Sequence, residues 1–173
     1  VFKLSRRLGA LQLGAAIGGA SFTLSAFMLS WTALPSVIET VSWIPWMLAA
    51  LYGLFEAPGQ HGPQPDTSPS RFAPMGGARQ FALLALSSGM MLLAGHLQFC
   101  AYGFLALLVL GLYLLIERRA WKPALFAVLA VGIGGIISAP QLIPVLDYSK
   151  FSHRKSVPTE EGYQAYVSHA LKP

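Results

Sequence analysis

The sequence predicts an all-α fold: a polytopic integral membrane helical bundle of about five transmembrane helices, with the amino end cytoplasmic. Three observations carry this prediction. The chain has 173 residues, of which 54% are apolar and only 11% charged, where a soluble domain carries roughly 25% charged residues. Its charge-free runs are 8–38, 40–55, 80–116 and 123–146, and three of them meet or exceed the ~20 residues a helix needs to cross about 30 Å of hydrocarbon. Finally, the cations stand in short clusters between those runs, as topology-setting charge does. So few charges cannot cover a soluble exterior, and the apolar content excludes a disordered chain. The net charge of +5 therefore points to membrane topology and not to nucleic acid.

Each element follows in order. Residues 8–31 are long enough for one span, and Gly14 and Gly18 form a GxxxG pattern inside it, which suits close helix packing. The second span, 41–56, is short, but Val41-Ser42-Trp43-Ile44-Pro45-Trp46 places two indoles and a proline where a helix would start at the interface. Residues 57–77 hold Pro58, Pro63, Pro65, Pro69 and Pro74 among several glycines and read as a cytoplasmic loop. The run 80–116 has 37 residues, about 55 Å as one helix, so it must fold back. Ala94-Gly95-His96-Leu97-Gln98 is the polar corner, giving spans 78–94 and 97–116. The last span is 123–146, where Pro140 and Pro144 are expected to break the outer end. The transmembrane region is thus 1–146, followed by an extracytoplasmic segment, 147–173.

This topology places Lys3, Arg6, Arg7, Arg71, Arg79, Arg118, Arg119 and Lys122 inside, eight of the twelve Lys and Arg residues, in accord with the positive-inside rule. Lys150, Arg154, Lys155 and Lys172 fall outside.

Candidate chemistry lies at the outer rim. Glu39, His96, Gln98, Gln141, Asp147, Ser152, His153 and Arg154 come from separate elements and either outline one extracytoplasmic cleft or are ordinary interfacial polar groups. His96 and Gln98 admit three readings: a hydrogen-bonding pair at a corner, a substrate contact, or an axial histidine for haem or chlorophyll. Arg154, with Lys150 and Lys155, suits a lipid phosphate through bidentate hydrogen bonds. The single Cys100 allows no intrachain disulfide, and no ligand spacing supports a protein-only metal site. No phosphate-binding loop, catalytic triad or dinucleotide fingerprint is present. Read this way, the sequence also admits a noncatalytic subunit of a larger membrane complex or, with its proline-broken outer helix, a transporter fragment.

These same residues carry a family resemblance. Phe22-Thr23-Leu24-Ser25-Ala26-Phe27, Val41-Ser42-Trp43-Ile44-Pro45-Trp46-Met47-Leu48, Ala94-Gly95-His96-Leu97-Gln98, Ser138-Ala139-Pro140-Gln141-Leu142-Ile143-Pro144 and Ser152-His153-Arg154 resemble, in order and spacing, the YfhO-like family of bacterial membrane proteins, which belong with GT-C-type glycosyltransferases. Ala26 stands where that family usually has glycine, and Leu97 where it commonly has proline. The resemblance covers 8–154 and implies an internal portion of a longer protein of the bacterial inner membrane. It implies sugar transfer from a polyprenyl-phosphate donor on the extracytoplasmic side, with His96, Gln98, Gln141 and Arg154 lining the cleft. The acidic catalytic residue, which the family places in its first extracytoplasmic loop, would come from outside this chain. No cofactor is expected beyond the haem or chlorophyll alternative at His96. The expected partners are membrane lipids, the polyprenyl-phosphate sugar and other membrane subunits, without nucleic acid.

Overall fold

The computed structural model of the chain describes residues 1–56, 77–149 and 164. The expected cytoplasmic loop, apart from Gly77, and nearly all of the expected extracytoplasmic segment lie outside the described residues. Among the described residues the structure is helical throughout, with α1 (Phe2–Arg7), α2 (Gln12–Thr23), α3 (Ala26–Ser30) followed by a 3-10 turn (Trp31–Ala33), α4 (Pro35–Phe55), α5 (Gly77–Leu93), α6 (Leu97–Arg118) and α7 (Trp121–Ser149). Four segments, Gln12–Ala33, Pro35–Phe55, Leu97–Arg118 and Trp121–Tyr148, are long and apolar enough to cross a membrane, and Gly77–Leu93 is a shorter apolar helix. The chain is an all-α membrane bundle.

The amino-terminal run differs from the single span expected over 8–31. Gly9, at φ 90°, lets the chain reverse after α1. That short helix then lies back along α2, where a Cβ on Gly18 would sit 3.6 Å from Ser5 Oγ. Lys3, Arg6 and Arg7 therefore lie beside the apolar helices and not ahead of them. A second interruption falls at Leu24 and Ser25. The Ser25 hydroxyl accepts from the Met28 amide at 3.3 Å and donates to the Phe22 carbonyl at 2.9 Å, capping a new helix and ending the old one.

The start of α4 is also corrected. Pro35 occupies its first turn, where its missing N–H costs nothing and its fixed φ favours the helix. Glu39 accordingly lies on the helix, not in a loop, and Trp43, Pro45 and Trp46 fall in its middle. Pro45 is buried inside α4, a position that a helix sheltered by neighbours tolerates. Likewise α7 continues through Pro140 and Pro144 to Ser149, without the break expected at its outer end.

The core gathers around α4, on which α1, α5 and α6 all pack. Helix α6 runs parallel to it: a Cβ on Gly103 would approach Ile44 Cγ1 at 3.1 Å, and further along one on Gly111 would approach Leu51 Cδ2 at 3.7 Å. Leu107 and Leu114 complete the buried stripe, one side of a 3.6-residue repeat. Helix α7 runs parallel to α5, since Phe81 meets Phe126 edge to face at 6.3 Å and, eight residues further along each helix, Gly89 meets Gly134. A Cβ on Gly134 would stand 2.8 Å from the Ala85 carbonyl oxygen and 2.9 Å from the Gly89 nitrogen. Only a residue without a side chain allows backbones that close. The chain divides into two compact units, Val1–Ser138 and Ala139–Pro173.

Candidate functional site

The α5–α6 corner builds an aromatic wall around one imidazole. Gly95 takes a left-handed conformation at φ 83°, which an L side chain resists, and this turns the chain within two residues of the end of α5. His96 is then the N-cap of α6, with no capping hydrogen bond from its side chain. Its carbonyl accepts from the Cys100 amide at 3.1 Å. The Cys100 thiol in turn donates to the Met91 carbonyl at 3.2 Å, fastening the first turn of α6 to the last turn of α5.

With the corner fastened, Phe99 becomes the hub of four rings. Its centroid lies 4.9 Å from that of His96, 5.7 Å from Phe27, 6.1 Å from Trp31 and 5.9 Å from Tyr102. The phenyl and indole contacts are edge to face, the arrangement favoured by ring quadrupoles. Phe27 and Trp31 come from α3 and the turn after it, so the interruption at Ser25 helps deliver two rings to this end. His96 is half-buried, and its Nδ1 is shielded from solvent with no hydrogen-bond partner among the described residues. An unpaired buried nitrogen costs about 1–3 kcal/mol.

The other expected site residues separate. Gln98 is exposed, and its amide donates to the Tyr102 hydroxyl at 3.0 Å. It therefore braces the wall's outer edge. Glu39 is exposed on α4, while Gln141 and Asp147 are exposed on the part of α7 that belongs to the second unit. Lys150, Ser152, His153, Arg154 and Lys155 lie outside the described residues. Sequence reasoning missed Phe27, Trp31, Phe99 and Tyr102 because it searched for polar groups. The i, i+3, i+6 spacing of His96, Phe99 and Tyr102 was the available signal.

The opposite end holds a different constellation. Arg7 donates to the Ala49 carbonyl and, at 3.4 Å, to Gln80 Oε1, and its Nε stands 3.9 Å from Glu56 Oε2. Gln80 is 1% exposed. The guanidinium passes over Gly53, where a Cβ would overlap it and reach 2.6 Å from Gln80 Cδ. Arg118 donates to the Phe55 carbonyl at 2.8 Å and to the Tyr52 hydroxyl at 3.3 Å, with its guanidinium carbon 5.2 Å from the Tyr52 ring centroid. Two arginines thus clamp the carboxyl half of α4, where carbonyl dipoles favour cations.

Compared with known proteins, the chain matches no family model, no curated protein and no solved structure.

Chemically, the aromatic corner offers hydrogen bonding and stacking. Among the described residues no group of three or more His, Cys, Asp and Glu side chains is placed to hold a metal ion. The imidazole can exchange a hydrogen bond with a hydroxyl, and the negative ring faces suit the C–H-bearing face of a sugar ring.

Proposed function

We propose that this chain is a membrane-embedded portion of a GT-C-like glycosyltransferase of the bacterial inner membrane. In this reading the α5–α6 corner faces the extracytoplasmic side and receives the sugar headgroup of a polyprenyl-phosphate donor. The observation that carries the proposal is the unpartnered Nδ1 of His96 set against the ring cluster around Phe99. A donor hydroxyl would supply the hydrogen bond that the protein leaves unmade, and the rings would flank the sugar.

The resemblance of Ala94-Gly95-His96-Leu97-Gln98 and Ser138-Ala139-Pro140-Gln141 to YfhO-like sequences supports the same reading. Gln98 and Gln141 would then contact the headgroup, and Arg154 would offset charge on the departing phosphate. The acceptor hydroxyl would lose its proton to a carboxylate supplied outside this chain and attack the anomeric carbon, expelling polyprenyl phosphate. Glu39 and Asp147 are not assigned that role.

Binding of a polyprenyl-phosphate sugar to the detergent-purified protein tests the proposal. His96→Ala is expected to weaken it about fivefold, the worth of one hydrogen bond, and unchanged binding would overturn the assignment. Orientation has its own test: an impermeant thiol reagent applied from outside should label Ser156→Cys and spare Ser70→Cys. The unpaired nitrogen also favours a second reading, in which the chain is a noncatalytic subunit carrying haem or chlorophyll on His96. A visible absorption band lost in His96→Ala would select it.

A further inference from the structure

At the clamped end of the bundle, three elements enclose a second recess of about 280 Å³, lined by Lys3, Trp46, Arg79, Ala82, Leu83 and Leu86. Its charges are distinctive for what their neighbours are doing. Arg6 is committed to the Ala10 carbonyl at 3.0 Å, Arg7 to α4 and Glu56, and Arg118 to Phe55 and Tyr52. Arg79 by contrast is exposed and makes no hydrogen bond or ion pair among the described residues. It faces the same recess as Lys3, whose ammonium lies 5.1 Å from the centre of the Trp46 ring. Two cations from separate helices therefore share one wall of a cavity to which the described residues bring no acid.

The remaining surface is apolar. Arg79, Ala82, Leu83 and Leu86 recur at i, i+3, i+4 and i+7 on α5, so they form one stripe about 10 Å long that leads from the cations along the helix. Leu86 is 48% and Trp46 40% exposed. Cationic at one end, greasy along its floor and flanked by an indole, the recess has the layout of a phosphate-bearing amphiphile. Indoles favour the level of lipid headgroups, and basic pockets between membrane helices take anionic headgroups.

We propose that this recess is a specific site for an anionic phospholipid, with the phosphate held between Lys3 and Arg79 and one acyl chain lying on Ala82, Leu83 and Leu86. Arg79 supplies paired N–H donors. Lys3 reaches the phosphate along its flexible stem while its methylenes stay against Trp46. The site is independent of the aromatic corner and of the sugar-transfer reading.

The test is lipid retention by the full chain, exchanged in detergent against equal amounts of phosphatidylglycerol and phosphatidylcholine with identical acyl chains and weighed by native mass spectrometry. The expected result is preferential retention of phosphatidylglycerol. Arg79→Gln should reduce that preference about fivefold and Lys3→Gln with Arg79→Gln roughly 25-fold, at about one fivefold factor per cation. Arg119→Gln, an exposed cation away from the recess, should leave it unchanged. Equal retention of the two lipids would overturn the proposal, as would an Arg119→Gln loss matching that of Arg79→Gln. Thermal stabilisation by inorganic phosphate equal to that by phosphatidylglycerol would overturn it as well, marking a free-anion site. If Arg79→Gln lowers stability in lipid-free detergent, Arg79→Lys decides: retained preference supports the site, and lost preference assigns Arg79 a purely structural role.

Discussion

The two ends of the Val1–Ser138 unit solve opposite problems. At the end built from Arg7, Gly53, Glu56, Gln80 and Arg118, strongly polar groups lie among apolar helices, and nearly every one has a partner: Arg7 on Ala49, Gln80 and Glu56, Arg118 on Phe55 and Tyr52. At the α5–α6 corner the side chains are rings, and the single buried imidazole nitrogen stays unpaired. Satisfied polarity holds helices together, whereas unsatisfied polarity awaits something from outside. That contrast separates charges that are structural from a nitrogen that is available to a ligand, a distinction that residue type alone does not make.

Several measurements would break or sharpen the contrast. The largest effect is expected for Gly53→Leu, whose side chain would occupy the space of the Arg7 guanidinium and Gln80. Thermal unfolding in detergent should report a loss of about 3 kcal/mol, since overpacking and a displaced buried charge act together. Next, Arg118→Met keeps the apolar stem but removes the hydrogen bonds to Phe55 and Tyr52, and should cost about 2 kcal/mol in the same assay. At the other end Gly95→Ala places a Cβ on a left-handed residue, for about 1 kcal/mol. The smallest change belongs to His96→Leu. Removing a nitrogen that has no partner should leave stability within about 0.5 kcal/mol of the parent or raise it, while donor binding falls. A loss of 2 kcal/mol there would show that the imidazole is as structural as Arg118 and would erase the difference between the ends.

Much of the fold was legible in the chain. The 37-residue run from Gln80 to Ile116 is too long for one crossing, and Gly95 beside His96 marks the fold-back, because few other residues turn a chain so tightly. The first span was harder. Nothing in an uninterrupted apolar run announces that Ser25 will cap a new helix, since a serine inside a membrane helix more often bonds to its own preceding turn, as Ser87 does to Leu83 at 2.7 Å. Prolines misled in both directions. Pro35 starts a helix, while Pro45, Pro140 and Pro144 sit inside helices, because neighbouring helices exclude the water that would otherwise reward a break.

The candidate site was legible in one residue. His96 was found as a lone polar group in an apolar run, but its ring neighbours Phe27 and Trp31 are more than sixty positions away in the chain, and only packing brings them to Phe99. For the same reason the arginines read as topology-setting flanks proved to be internal clamps, because whether a guanidinium meets water or a carbonyl depends on which helix lies beside it.

By itself, the sequence determined that this chain is a bundle of apolar helices, because burial of that many uncharged residues needs only composition and run length. Tertiary structure alone decided which polar atoms are satisfied. A hydrogen bond reaches about 3 Å, and which groups come that close is set by helix packing between residues such as Arg7 and Ala49 that lie far apart along the chain.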